Sequence, residues 1–187
     1  MTTARPALLI VDMFTRFDFP EAHLVKLGAL RAARQIARLR ENFRHHRNPV
    51  IYANDNFANW QMDFKELVDA CLETPGASST IAGILRPAAD DYFVLKPKHS
   101  AFLATPLVVL LAKLGCNRLV ITGMTADSCI AATCFDSNAR EYETVVIAEA
   151  VAGISVRKNR ALQLLKESKA AKVASVDSYL GGSSGRQ

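Results

Sequence analysis

Short runs of branched apolar residues alternate along the chain with longer segments in which apolar residues recur every three or four positions. The short runs have the length of buried strands, and the longer segments have the spacing of amphipathic helices. Strands are predicted over residues 7–11, 50–53, 92–95, 118–122, 144–148 and 172–175. Helices are predicted over residues 25–45, 63–72, 106–114, 128–140 and 155–168.

This alternation predicts an α/β fold, because strands separated by helices of about 10–20 residues form a parallel sheet covered on both faces. Neither an internal repeat nor a linker between domains is present in the sequence. We therefore expect residues 1–180 to form a single domain. Residues 181–187 are rich in glycine and serine and are expected to form a flexible tail.

Composition is that of an ordinary globular domain, with 187 residues of which 50% are hydrophobic and 22% are charged. No apolar run approaches the roughly 18 residues that a membrane span needs. The first apolar run meets Asp12 early, which favours a strand over a signal peptide. Four cysteines without C-x-x-C spacing are expected to be free thiols in the cytoplasm: Cys71, Cys116, Cys129 and Cys134.

The net charge of +5 is concentrated in one segment that carries six arginines between residues 31 and 47. Such a segment is either a face for nucleic acid or an acidic partner, or the solvated side of an amphipathic helix. Ala33, Ile36, Leu39 and Phe43 recur between the arginines at helical spacing, which favours the second interpretation. No RNA-binding signature accompanies the charge, so we expect neither nucleic acid nor membrane as a partner.

Cys129 stands where a strand gives way to a helix. The strand over residues 119–122 is broken by Gly123, and both Thr125 and Asp127 are good N-caps for the helix that follows. Peptide N–H groups and the helix dipole stabilise an anion there, so the thiol is expected to ionise more easily. The alternative is a buried structural cysteine.

Asp12 and Lys96 also follow predicted strands directly, on the carboxyl side. Since the carboxyl ends of parallel strands lie on one edge of a sheet, these residues and Cys129 can meet there. Together they predict a nucleophilic thiol, a carboxylate that takes the thiol proton and returns it to a leaving amine, and an ammonium that favours the thiolate. The alternative is a structural ion pair beside a structural thiol.

Other residues are candidates for the wall of a substrate pocket, because loops that combine aromatic and polar side chains often form such walls. These candidates are Phe17, Asn54, Asp55, Asn56, Trp60, Phe102 and Met124. Phe17 and Phe102 have the alternative of packing in the core, and Trp60 that of packing between subunits. We expect no cofactor and no metal, because no phosphate-binding glycine motif occurs and the four histidines form no ligand cluster.

Three motifs resemble those of the isochorismatase-like cysteine hydrolases: ALLIVDMFTRF, VLKPKHSAF and VITGMTADSCIAAT. Their order and spacing match across residues 7–176. The resemblance implies a Rossmann-like, three-layer α-β-α fold with a six-stranded parallel sheet. It also implies an Asp12–Lys96–Cys129 triad, a cis peptide between Met124 and Thr125, and an oxyanion hole made by the amides of Thr125 and Cys129.

Two departures from the family pattern narrow the range of functions that the resemblance implies for this chain. His99 replaces the usual aromatic residue of the second motif, and the segment YANDNFANW lacks the histidines with which nicotinamidases bind a metal. The leading prediction is a metal-independent hydrolase of a small amide or carbamoyl substrate that reacts through a thioester. The alternatives are a vinyl ether hydrolase of the isochorismatase type, with Asp12 as the acid, and a non-catalytic binding protein.

The family often forms dimers or tetramers, so we expect a homo-oligomer in which residues 57–60 contribute to a neighbour's site.

Overall fold

The computed structural model describes residues 5–57 and 60–183, which form a six-stranded parallel sheet between two layers of helices. The strands are β1 Pro6–Val11, β2 Val50–Asp55, β3 Tyr92–Lys96, β4 Arg118–Gly123, β5 Glu143–Val151 and β6 Lys172–Ala174, in the order β3-β2-β1-β4-β5-β6. The helices are α1 Ala22–His45, α2 Phe64–Glu73, α3 Ala77–Ile84, α4 Leu107–Leu114, α5 Ala131–Ala139, α6 Ser155–Glu167 and α7 Val176–Ser183.

Each central strand is apolar on both faces, as a sheet covered on both sides requires. In β1, Leu8 and Ile10 pack into one hydrophobic cluster, while Leu9 and Val11 pack into another on the opposite face. Successive side chains of a strand point to opposite faces, so this alternation divides the core into two layers. The fold class predicted from the sequence is confirmed.

The two clusters show which helices cover each face. One cluster contains Ile36 of α1, Val68 of α2, Ile81 of α3 and Val176 of α7. The other contains residues of the remaining helices, namely Leu111, Cys134 and Leu165. None of the described helices is long and apolar enough to span a membrane.

Several elements differ from their predicted bounds. Strand β2 continues to Asp55, so Asn54 and Asp55 belong to a strand rather than a loop. Helix α3 covers a segment for which the sequence indicated a loop over residues 74–79 and a single helical turn over residues 81–85. The last helix was not predicted at all, and it includes residues 181–183 of the expected tail. Tyr179 of this helix stacks on Phe43, with ring centroids 6.1 Å apart, and residues 184–187 lie outside the described ranges.

The helix expected over residues 128–140 begins differently from the prediction. It opens with a π-helical segment, Ala126–Ile130, which leads into α5. Thr125 precedes this segment without capping it through its side chain. The amide of Ile130 instead donates to the Thr125 carbonyl at 3.1 Å, a five-residue spacing that places Cys129 in a wider turn than an α-helix has.

Arginines of α1 anchor this helix to its neighbours. Arg40 donates to the carbonyl oxygens of Ile84 and Arg86, and Arg44 pairs with Asp91. These contacts hold two of the six positive charges against the protein itself. They support the interpretation of this segment as an amphipathic helix.

Gly123 is the position at which β4 approaches β1 most closely. Its φ is +116°, and a Cβ added there would lie 2.0 Å from the Val11 carbonyl oxygen. The amide of the next residue, Met124, donates to that same oxygen at 3.0 Å. A side chain at Gly123 would therefore push apart the two strands whose carboxyl ends lead to Asp12 and Cys129.

We expect Gly123→Ala to lower the free energy of unfolding by about 3 kcal/mol or more, because it combines a strained φ with a backbone collision. Urea denaturation measures this change. Gly28→Ala in α1 is the matched control, since its Cβ would meet only ordinary contacts at 3.9 Å and alanine favours a helix by about 1 kcal/mol. Equal stability of the two variants would contradict the close approach of β1 and β4.

Candidate active site

Asp12, Lys96 and Cys129 meet at the carboxyl edge of the sheet. Asp12 directly follows β1, Lys96 is the last residue of β3, and Cys129 lies in the π-helical segment after β4. Lys96 Nζ is 2.7 Å from Asp12 Oδ2 and 3.7 Å from Cys129 Sγ. Asp12 and the Cys129 thiol are close enough for each to shift the pKa of the other. The structure thus brings together the three residues that the sequence singled out.

Asp12 is fixed by the backbone of the neighbouring strand. Its own amide donates to the Ala53 carbonyl at 3.0 Å, and its Oδ1 accepts the Asp55 N–H at 2.7 Å. Its φ of +51° is one that aspartate tolerates better than most residues. Each carboxylate oxygen therefore accepts one N–H donor, from Asp55 on Oδ1 and from Lys96 on Oδ2.

Lys96 is an ammonium with no exposed side-chain surface, which is costly unless the charge is compensated. It lies against Asp12 and Cys129 and donates to the Lys98 carbonyl at 2.9 Å. Burial alone would lower the pKa of Lys96, but the negative charge of Asp12 outweighs that effect and raises the pKa above its ordinary value. Lys96 therefore keeps its positive charge at neutral pH.

The thiol of Cys129 is harder to ionise than the sequence led us to expect. Burial, and then the negative charge of Asp12, raise its pKa to about 12, although Lys96 and Ser128 oppose the shift. The prediction that the start of the helix would ease ionisation is wrong, because burial and the adjacent carboxylate outweigh the favourable contacts. At neutral pH Cys129 holds its proton.

The pKa of Asp12 is also raised, chiefly by burial, against the lowering effects of Lys96, Cys129 and the Asp55 amide. A carboxylate with a raised pKa is a stronger base than one in water. Its position beside the protonated thiol therefore suits it to receive the proton of Cys129 at the moment the sulfur attacks.

The turn that leads into Cys129 is held by backbone hydrogen bonds. The peptide between Met124 and Thr125 is cis, as the family resemblance implied. The amides of Ser128 and Ile130 both donate to the Thr125 carbonyl at 3.1 Å, one on each side of Cys129 in sequence. Ala126 donates to the Ala152 carbonyl at 2.9 Å, which ties the turn to the end of β5.

Two polar residues beside the sulfur were not assigned a role from the sequence. His99 Nδ1 is 3.9 Å from Cys129 Sγ and 3.0 Å from Ser128 Oγ. Ser128 Oγ is itself 4.0 Å from the sulfur. The signal available in the sequence was the replacement of an aromatic by His99, three residues after Lys96.

Among the predicted pocket residues, three aromatic or apolar side chains are buried in the hydrophobic clusters. Phe17 and Met124 belong to one cluster, and Phe102 belongs to the other, where it stacks on Tyr142. The two phenylalanines thus take the core packing that the sequence left open as their alternative. Trp60 is 61% exposed, while residues 58 and 59 of the loop expected to reach a neighbour lie outside the described ranges.

The polar candidates after β2 differ from one another in their contacts. Asn54 is buried and exchanges two hydrogen bonds with the backbone of Phe14, so its side chain is structural. Asp55 is exposed and contributes its amide to Asp12. Asn56 is 8% exposed, accepts the Trp60 N–H at 3.1 Å, and has a side-chain nitrogen, Nδ2, without a hydrogen-bond partner.

The donor set in this region does not fit the metal site found in nicotinamidases. Residues 52–60 contain no histidine, and the Asn54 side chain is engaged with Phe14. Within residues 5–57 and 60–183, no three His, Cys, Asp or Glu side chains are grouped as metal ligands. We therefore derive no chemical step through a metal ion.

The relatives found by comparison with known proteins are consistent with the fold and the site described above. The family model "Isochorismatase domain" matches residues 6–178. The uncharacterized isochorismatase family protein YaaI of Bacillus subtilis is 35% identical over 85% of this chain and 87% of its own length. A protein of Arabidopsis thaliana named probable inactive nicotinamidase At3g16190 is 30% identical over 75% of this chain and 76% of its own.

A solved structure supports the same family assignment. N-carbamoylsarcosine amidase from Thermoplasma acidophilum is 26% identical, with a TM-score of 0.72 over 92% of this chain and 97% of that one. The match of the family model to nearly the whole described domain, together with these relatives, agrees with the fold and with the three motifs at the sheet edge. This chain belongs to the isochorismatase family of hydrolases.

Proposed function

We propose that this hydrolase cleaves a small, non-peptide amide or carbamoyl compound through a thioester on Cys129. The observation that carries the proposal is the position of the Lys96 ammonium, which lies 2.7 Å from the Asp12 carboxylate and 3.7 Å from the Cys129 sulfur and so brings base and nucleophile into one site. A base in contact with a nucleophile, and oriented by a third group, is the arrangement that covalent catalysis requires.

In the first half of the reaction, the sulfur of Cys129 attacks the substrate carbonyl while Asp12 takes the thiol proton. Lys96 stays charged and stabilises the negative charge that passes from the carboxylate to the sulfur. The amides of Thr125 and Cys129 are the proposed donors to the oxyanion, where each donor of this kind contributes about 10²–10³ in rate. Asp12 then gives its proton to the departing amine, which leaves the thioester.

In the second half, water attacks the thioester carbon and the acid product leaves. The sulfur regains a proton, which restores the thiol of Cys129 next to the carboxylate of Asp12. Asp12 and Cys129 account for every proton that moves in the first half, and the water supplies the proton that the sulfur regains in the second. The kinship with N-carbamoylsarcosine amidase supports a carbonyl–nitrogen bond as the one that is cleaved.

The second candidate is hydrolysis of a vinyl ether, in which Asp12 protonates the substrate directly. The observation that favours it is the raised pKa of Asp12, because burial makes this carboxyl hold a proton more readily. This reaction does not chemically need the thiol, whereas amide cleavage does. Alkylation of Cys129 therefore separates the two candidates: it should abolish cleavage of an amide and spare cleavage of an ether.

A panel of small primary amides and N-carbamoyl compounds, assayed by ammonia release, tests the proposal. We expect at least one to be cleaved, and Cys129→Ala to lower kcat/KM by about 10⁴-fold or more because the nucleophile is lost. Cys134→Ala is the matched control, since Cys134 is a fully buried cysteine five residues further on. Undiminished turnover by Cys129→Ala would contradict the nucleophile assignment.

Asp12→Asn should make the thiol of Cys129 easier to ionise and at the same time make turnover slower. Loss of the carboxylate charge removes the main electrostatic cause of the high thiol pKa, so we expect the pKa of Cys129 to fall below about 12. Turnover should nevertheless drop by about 10²–10⁴-fold, because the group that carries the proton is gone. Ultraviolet titration of the thiolate, with Cys129→Ala as the blank, measures the first effect.

The control for this experiment is Asp127→Asn, which removes an exposed carboxylate from the same helical segment. We expect it to leave the Cys129 titration close to that of the unaltered protein. A thiol pKa that stays the same or rises in Asp12→Asn would refute the electrostatic account of the site.

A further inference from the structure

His99 lies in a segment whose position is fixed on both sides. On the side of β3, the Lys98 carbonyl accepts a hydrogen bond from Lys96 Nζ at 2.9 Å. On the other side, the Ala101 amide donates to Thr133 Oγ1 of α5 at 3.1 Å. The imidazole is therefore presented to Cys129 by contacts with Lys96 and α5, although His99 is exposed.

The sulfur of Cys129 has different partners on its buried and its exposed sides. Asp12 and Lys96 are nearly or wholly without exposed side-chain surface, at 14% and 0%. His99 and Ser128 are more accessible, and both approach the sulfur to about 4 Å, His99 through Nδ1. Because Asp12 and Lys96 lie on the buried side, a water that arrives from solvent meets the imidazole on the open side.

We propose that His99, oriented by Ser128, is a further catalytic residue that acts as the base in hydrolysis of the thioester. The proposal rests on the proposed function and assigns the two halves of the reaction to different groups. Asp12 moves the proton between the thiol and the leaving amine. His99 moves the proton between the attacking water and the departing sulfur.

The step balances with one water. The water oxygen bonds to the thioester carbon while one water proton passes to Ser128 Oγ and the hydroxyl proton of Ser128 passes to His99 Nδ1. The carbon–sulfur bond then breaks with its electron pair on sulfur, and Nδ1 returns the proton to Sγ. The products are the free acid and the restored thiol, and the imidazole of His99 is returned to its starting form.

The distances suit this role. A general base acts within hydrogen-bond reach or through one water, and the thioester carbon is bonded directly to the sulfur that lies 3.9 Å from Nδ1. Ser128 Oγ, 3.0 Å from the same nitrogen, donates to it in the tautomer that carries its proton on Nε2. That tautomer leaves Nδ1 as the acceptor which the step requires.

Rapid mixing of the protein with 4-nitrophenyl acetate tests whether Asp12 and His99 act in different halves of the reaction. The initial burst of nitrophenolate reports acylation, and the later steady rate reports hydrolysis of the thioester. In His99→Phe, which keeps a ring but has no nitrogen, we expect a burst of about one nitrophenolate per site at the unaltered rate. The steady rate that follows should be about 10²-fold slower or more. Hydroxylamine attacks a thioester without help from a protein base, so its addition should restore the steady rate of nitrophenolate release.

Ser128→Ala should show the same pattern to a smaller extent, and His45→Phe, a change at the far end of α1, should behave as the unaltered protein. Equal slowing of the burst and the steady rate in His99→Phe, or no change in either, would overturn the proposal. Failure of the unaltered protein to release nitrophenolate faster than Cys129→Ala would instead reject the thioester mechanism itself.

Discussion

The contact between the buried ammonium of Lys96 and the carboxylate of Asp12 is the interaction on which the site depends. A lone charge in that position would be strongly destabilising, and the 2.7 Å contact compensates it. The same pair acts on the ionisation of Cys129: burial raises the pKa of the thiol most, the carboxylate raises it further, and the ammonium opposes both effects. Burial and the carboxylate thus keep the sulfur protonated at rest, next to the base that can remove its proton.

The parallel sheet makes this contact possible between residues that are 84 positions apart in sequence. Strand β2 separates β1 from β3, and it supplies the Ala53 carbonyl and the Asp55 amide that hold Asp12. Strand β4 lies close enough to β1 only because residue 123 has no side chain. The site is therefore a consequence of strand order and register, and its precision comes from backbone hydrogen bonds rather than from the loops around it.

The sequence predicted the strands and the three converging residues because branched apolar runs end directly before Asp12 and at Lys96, and because a glycine and the start of a helix follow the run that leads to Cys129. It could not predict the direction of the Cys129 pKa shift, since this depends on depth of burial and on the distance to Asp12. It also missed α7, because its two glycines disfavour a helix while the packing of Tyr179 on Phe43 is a tertiary contact. Phe17 and Phe102 were ambiguous because aromatic residues of cores and of pockets have the same pattern in a sequence.

The most direct test of the account is mass spectrometry of the protein after acid quenching during turnover of a cleaved amide. The account predicts the acyl part of the substrate on the peptide that contains Cys129, and its disappearance when the substrate is exhausted. Sustained turnover with Cys129 unmodified at every time point, while an acyl group is found elsewhere or nowhere, would contradict it.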